Sequence, residues 1–92
     1  MKFQQEPERI FALDSAGNLI AEVTFPISRG VAAIDHTFVD PSLRGQGIAD
    51  QLLCAVAEHL RAQGLKANPT CSYAAHWFSK HPEQADLLCA NC

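Results

Sequence analysis

No stretch of this chain approaches the roughly 18 consecutive apolar residues that a membrane-spanning helix needs, which excludes a helical membrane protein. The opening residues Met1-Lys2-Phe3-Gln4-Gln5-Glu6-Pro7 lack the apolar centre of a secretion signal, so a cytoplasmic location is expected. Basic residues are few: 7 Lys and Arg stand against 10 Asp and Glu, for a net charge of −3. Lys2, Arg9, Arg29, Arg44, Arg61, Lys66 and Lys80 are scattered and form no basic stripe, which argues against a nucleic-acid partner. Cys89-x-x-Cys92 has zinc-knuckle spacing, but no second Cys-x-x-Cys completes it; Cys71, His76 and His81 are the remaining ligand candidates. No metal is expected, and in a reducing compartment Cys54, Cys71, Cys89 and Cys92 are expected as free thiols. Internal repeats, linkers and low-complexity runs are also missing.

What remains is an ordinary globular composition, 48% hydrophobic and 18% charged, which argues against disorder. A chain of 92 residues is expected to form one domain, residues 1–92. At this size a chain buries roughly 60–65% of its unfolded surface, enough for one modest core without disulfide staples.

Residues 1–8 read as a frayed segment or an edge strand. The β-forming runs Arg9–Leu13 and Leu19–Phe25 flank Asp14-Ser15-Ala16-Gly17-Asn18, a cluster with turn chemistry, and predict a hairpin. Pro26 to Gly30 reads as a turn or loop. Val31–Val39 is expected as the third strand. Its alternation sets Val31, Ala33, Asp35, Thr37 and Val39 on one face and Ala32, Ile34, His36 and Phe38 on the other. Neither face is strongly polar, so a central strand covered on both sides is predicted. Asp40-Pro41 ends it.

From Ile48 to Arg61 apolar or small residues recur at positions 48, 49, 52, 53, 56, 57 and 60, the stripe of an amphipathic helix. Gly64 is placed to stop it. Leu65–Pro69 reads as a short strand. Ser72 is the expected N-cap of a helix over Tyr73–Lys80, and Pro82 the start of another to Leu88. The tail Cys89–Cys92 is expected to be loose. Consecutive antiparallel strands followed by a long helix indicate an α+β fold.

Between third strand and long helix lies Leu43-Arg44-Gly45-Gln46-Gly47-Ile48-Ala49-Asp50. The first N–H groups of a helix have no intrahelical partner, and the helix dipole adds positive character there. Glycines let a ligand's phosphates approach that backbone closely. Arg44 adds a fork of donors suited to phosphate. The plain reading is a strand-to-helix turn with a solvated arginine; the functional reading is an anion site.

The pattern Arg44-x-x-Gly47-x-Ala49 resembles the acyl-CoA-binding signature of the GNAT superfamily of N-acetyltransferases. His36-Thr37-Phe38-Val39 before it, and Pro69-Thr70-Cys71-Ser72-Tyr73, Trp77 and Lys80-His81-Pro82 after it, resemble a subfamily of small single-domain GNAT-like proteins. The resemblance runs from about Leu19 to His81. It implies a reduced GNAT-like acyl-CoA N-acyltransferase fold: a mixed, mostly antiparallel sheet with a long helix after the third strand and short C-terminal helices. It also implies acetyl-CoA as co-substrate, in a V-shaped opening beside the strand that precedes the long helix, with the pyrophosphate on the turn. The sequence is shorter than a full-size GNAT enzyme. It has no room for the usual helix pair after the first strand or for the last two strands, which supply much of the acceptor wall.

On that basis the cofactor contacts are expected from Phe38, Val39, Arg44, Gly45, Gln46, Gly47, Ile48, Ala49 and Cys71. GNAT enzymes transfer the acetyl group by direct attack of an amine on the thioester, which needs a base for the ammonium and an acid for the departing thiolate. His36 is the candidate base, since its side chain titrates in the useful range. Its plain reading is a hydrogen-bonded histidine on an apolar face. Tyr73 is the candidate acid; otherwise it is a packed aromatic. Cys71, beside a helix start, is either a nucleophile, a pocket residue or a small buried apolar group. Trp77 reads as core. The expected function is acetyl transfer from acetyl-CoA to a primary amine. The alternatives are a non-catalytic acyl-CoA-binding or protein-interaction module on the same scaffold and, more distantly, a zinc or redox module using Cys71, Cys89 and Cys92.

Overall fold

The hairpin expected around Gly17-Asn18 forms between β2 (Arg9–Leu13) and β3 (Leu19–Thr24). Asp14 organises its turn by accepting hydrogen bonds from the backbone N–H groups of Ala16 and Asn18, each at 2.9 Å. The polar segment ahead of it pairs with β2 as an edge strand, β1 (Gln4–Glu6). The structure is a computed structural model and describes residues 2–90.

Residues 31–39 depart from the single strand that their alternation predicts. They divide at Asp35 into β5 (Val31–Ile34) and β6 (His36–Val39), which belong to different sheets. One sheet has the order β1-β2-β3-β6 and is antiparallel throughout. The other has the order β4-β5-β7, where β4 is Ile27–Ser28 and β7 is Lys66–Pro69; β5 and β7 run parallel. Competition for backbone partners causes the break. The Ile34 carbonyl accepts the N–H groups of both Thr70 and Cys71 at 3.0 Å, while the next N–H, on Asp35, turns the other way to the Thr24 carbonyl. Thr24 Oγ1 donates to the Asp35 carboxylate at 2.6 Å and fixes the bend. The expectation of a central strand therefore holds for β5, whereas β6 is the outer strand of its sheet.

The long helix α1 (Ile48–Gln63) buries Ile48, Leu52, Leu53, Val56, Ala57 and Leu60, the predicted stripe. It lies against β2, β3, β6 and β7 and so closes one face of both sheets. Ile10, Ala12, Ala21 and Val23 meet it from the first sheet, and Ala32, Ile34 and Ala67 from the second. Full burial of each aliphatic side chain of this size contributes roughly 1.5–3 kcal/mol. Past Gly64, the Leu65 N–H returns to the Leu60 carbonyl at 2.9 Å, which ends the helix.

Helix α2 (Ser72–Lys80) is capped one residue earlier than predicted. Cys71, not Ser72, is the N-cap, and its sulfur accepts the Ala74 N–H at 3.3 Å. Pro82 opens a 3-10 helix, Pro82–Leu87. Leu88 bridges to Ala67, and the Cys89 N–H donates to the Ala67 carbonyl at 2.9 Å, so Cys89 is not loose; Asn91 and Cys92 of the expected loose tail lie outside the described residues. Cys54 and Cys71 are free thiols. Cys89 is disulfide-bonded, against the expectation of reduced thiols throughout, and Cys92 lies outside the described residues.

Candidate active site

Alternation along β6 decides what faces the interior. Thr37 and Val39 share the α1 side with Val23 and Ala21, their register partners on β3. His36 and Phe38 take the opposite face. Because β6 is the outer strand and β5 diverges toward β7, a wedge opens beside Thr37 and Val39. Its apex is a contact between β6 and the cap of α2: Thr37 Oγ1 lies 3.4 Å from Cys71 Sγ.

The turn after β6 forms the wedge floor. Asp40 accepts hydrogen bonds from the Ser42 N–H at 2.9 Å and the Ser42 hydroxyl at 2.7 Å. These bonds start a short 3-10 turn, Pro41–Leu43, and hold the Asp40 carboxyl below its ordinary pKa. Gly45 (φ +84°) and Gly47 (φ +73°) then take left-handed conformations that side-chain-bearing residues adopt only with strain. Among the described residues, the N–H groups of Gly45, Gly47, Ile48, Ala49 and Asp50 donate no well-formed hydrogen bond; the first amide of α1 to do so is Gln51, to the Gly47 carbonyl.

Those amides border a cavity of about 500 Å³, lined by Thr37 and Val39 of β6, Leu43 to Gly45, Gly47 to Asp50, and Tyr73 of α2. Arg44 enters none of the ion pairs among the described residues. The arrangement offers unpartnered donors and one cation at the turn, an exposed strand edge along one wall, and a phenol at the far side. Partial burial, reinforced by the Asp50 charge, raises the Tyr73 phenol above its ordinary pKa, so it keeps its proton at neutral pH.

Of the residues expected from sequence, Val39, Arg44, Gly45, Gly47, Ile48, Ala49 and Tyr73 meet in this cavity, while Phe38, Gln46 and Cys71 do not line it. Cys71 stands just behind the wall, half-buried, with its sulfur occupied by the Ala74 amide and the Thr37 hydroxyl. His36 is exposed on the other face of β6, its Nε2 3.4 Å from Glu22 Oε1. Glu22 also takes Arg9 Nε at 2.5 Å, so His36 belongs to a surface charge cluster. Among the described residues, no group of three or more His, Cys, Asp or Glu side chains is placed to hold a metal ion.

A profile of the GCN5-related N-acetyl-transferase family matches residues 9–87. The chain belongs to this family. Its fold also aligns with the solution structure of a GCN5-like protein from Staphylococcus aureus, with a TM-score of 0.80 and 34% identity over 96% of this chain and 87% of that one. Larger enzymes share the fold at lower identity. The ribosomal-protein-S18-alanine N-acetyltransferase of Escherichia coli gives a TM-score of 0.64 at 18% identity, over 84% of this chain and 53% of that one. An acetyltransferase of Trypanosoma brucei gives 0.58 at 22% identity, over 78% and 58%. This chain thus spans a little over half the length of those two proteins. A comparison with curated proteins returned no match.

Within the family frame, the wedge and the turn lie at the junction where Arg44-x-x-Gly47-x-Ala49 falls. Asp50 and the side chain of Thr37 were not singled out from sequence. For Thr37 the alternation already held the signal, since it shares a face with Val39. For Asp50 there was none, because its partners, Trp77 and His81, lie 27 and 31 positions downstream.

Proposed function

We propose that the chain transfers an acetyl group from acetyl-CoA to a primary amine in the cavity between β6, the N-terminus of α1 and Tyr73. The observation that carries this reading is the set of unpartnered amides of Gly45, Gly47, Ile48, Ala49 and Asp50 on the cavity border, beside Arg44. Such donors suit a pyrophosphate, for which the helix dipole and Arg44 add charge. The free edge of β6 suits an extended amide-bearing chain such as pantetheine, which can pair there as a further strand would.

Acetyl-CoA supplies the activated acyl group as a thioester. Backbone N–H groups of β6 near Thr37 are the candidates for polarising its carbonyl. The amine, once relieved of its extra proton, attacks the carbonyl carbon, the carbon–sulfur bond breaks, and Tyr73 donates its proton to the departing thiolate. A phenol held protonated is suited to that role. Cys71 acts as helix cap and as support for Thr37, not as nucleophile, because its sulfur is already engaged on two sides. His36 faces away from the cavity and serves no proton-transfer role in this scheme.

The test is titration with CoA and acetyl-CoA, followed by incubation with labelled acetyl-CoA and a panel of amines. Binding at micromolar to millimolar ligand and amine-dependent release of CoA are expected. No binding at millimolar ligand would remove the reading; binding without any release of CoA would leave an acyl-CoA-binding module.

A further inference from the structure

Asp50 lies in the first turn of α1 and, among the described residues, is the only acidic side chain lining the cavity. Its carboxylate is held from one side only. Oδ1 accepts the indole N–H of Trp77 at 2.7 Å, and His81 Nε2 lies 3.3 Å from the same oxygen. These partners are themselves locked: the His81 ring stacks on the Trp77 ring at 4.2 Å, and His81 Nδ1 meets the Trp77 carbonyl at 2.8 Å. The second oxygen, Oδ2, has no polar partner among the described residues. The carboxylate is about half exposed, so solvent and ligand can reach it.

The cavity is therefore polarised. Arg44 and the free amides gather at the turn, whereas the negative charge sits toward Tyr73, whose phenol feels it. We infer that Asp50 recognises the acceptor: its free Oδ2 takes the ammonium of a cationic primary amine, while Trp77 and His81 hold Oδ1 and set the carboxylate's direction. This rests on the acetyl-transfer reading and narrows its substrate class. An ammonium bound there gives up one proton before attack, with Asp50 or water as the receiving group. The amide-forming step releases the second, and Tyr73 returns one to the thiolate, so one proton is lost per acetyl transferred. Trp77 and His81 are positioning residues; Asp50 touches the substrate.

The experiment compares kcat/KM for a cationic and a neutral acceptor of similar size, benzylamine and benzoic hydrazide, in the wild type and in Asp50→Asn. Asparagine keeps an oxygen for the Trp77 N–H but removes the charge. The cationic-over-neutral preference should fall by about tenfold in Asp50→Asn, since a hydrogen bond to a charged partner is worth at least that factor. The acetyl-CoA KM should not rise, since the variant removes a negative charge from the cavity that takes the pyrophosphate. Trp77→Phe, which keeps the charge but removes the indole donor from Oδ1, should lower the preference by a smaller factor while acetyl-CoA affinity persists. Thermal unfolding of each variant checks that the comparison is made on folded protein. An unchanged preference in Asp50→Asn overturns the inference, as does a wild type that accepts the hydrazide as readily as the amine. A wild type that binds CoA but acetylates no cationic amine also overturns it and leaves the cofactor site standing. Failure to bind CoA at all removes the acetyl-transfer reading itself.

Discussion

Thr37 and Cys71 stand 34 positions apart, yet the Thr37 hydroxyl lies 3.4 Å from the Cys71 sulfur at the point where the two sheets separate. This contact fixes the apex of the wedge. It couples the β6 wall to the cap of α2 and hence to Tyr73.

The sulfur's partners set an expectation for position 71. Serine caps helices well, so Cys71→Ser should retain stability and most turnover. Cys71→Ala, which leaves the Ala74 N–H uncapped, should cost about 1 kcal/mol in chemical denaturation. Complete loss of turnover in a well-folded Cys71→Ser would instead identify the thiol as a nucleophile.

Gly47 offers a test of the turn. An added Cβ would meet no atom within 4 Å, so a side chain there costs only backbone strain at φ +73°. That strain amounts to roughly 1–2 kcal/mol. Gly47→Ala should therefore fold, with a modestly lowered Tm, but lose CoA affinity well beyond the stability change as the amides reorient. Calorimetric titration would show it. Normal CoA affinity in the folded variant would rule out the phosphate cradle.

Tyr73→Phe should lower kcat with little effect on acetyl-CoA binding. A general acid works while protonated, so activity should hold below the phenol's pKa and fall as pH rises through it. Partial burial first, and the Asp50 charge second, place that alkaline limb above the range of an ordinary tyrosine. Asp50→Asn should bring the limb down, and Tyr73→Phe should abolish it. A pH profile of kcat for the three proteins decides the matter.

At the far end of α1, Arg61 pairs bidentately with Asp86, at 2.5 Å for the closer contact, and depresses the carboxyl's pKa through that hydrogen bond. A carboxylate whose folded pKa is depressed adds stability above its unfolded value and loses it as pH falls through the folded one. Asp86→Asn should therefore lower Tm at neutral pH. The difference should shrink at acid pH, as the pH falls through the carboxyl's depressed folded value and its charge is lost in both states. Parallel melting curves at the two pH values would reveal an equal deficit if the pair's charge contributes nothing.

Local physics made much of this protein legible in its residues. The Asp14–Asn18 turn, the stripe from Ile48 to Leu60, the stop at Gly64 and the glycine-bearing helix start each depend on neighbours within a few positions, so residue type and spacing suffice. The same holds for the amides left unpartnered at the start of α1, since every helix leaves them. The tertiary structure alone decided what depends on distant partners. Nothing in Val31–Val39 marks Asp35 as a break, because the break arises from the hydrogen bonds that the Thr70 and Cys71 N–H groups donate to the Ile34 carbonyl. His36 is removed from the cavity by the pairing of β6 with β3, which fixes which of two equivalent faces looks inward. Asp50 acquires a direction only when folding brings Trp77 and His81 to one of its oxygens. The chain thus specifies a glycine-bearing helix start with unpartnered amides by short-range chemistry, and long-range packing determines which side chains face it.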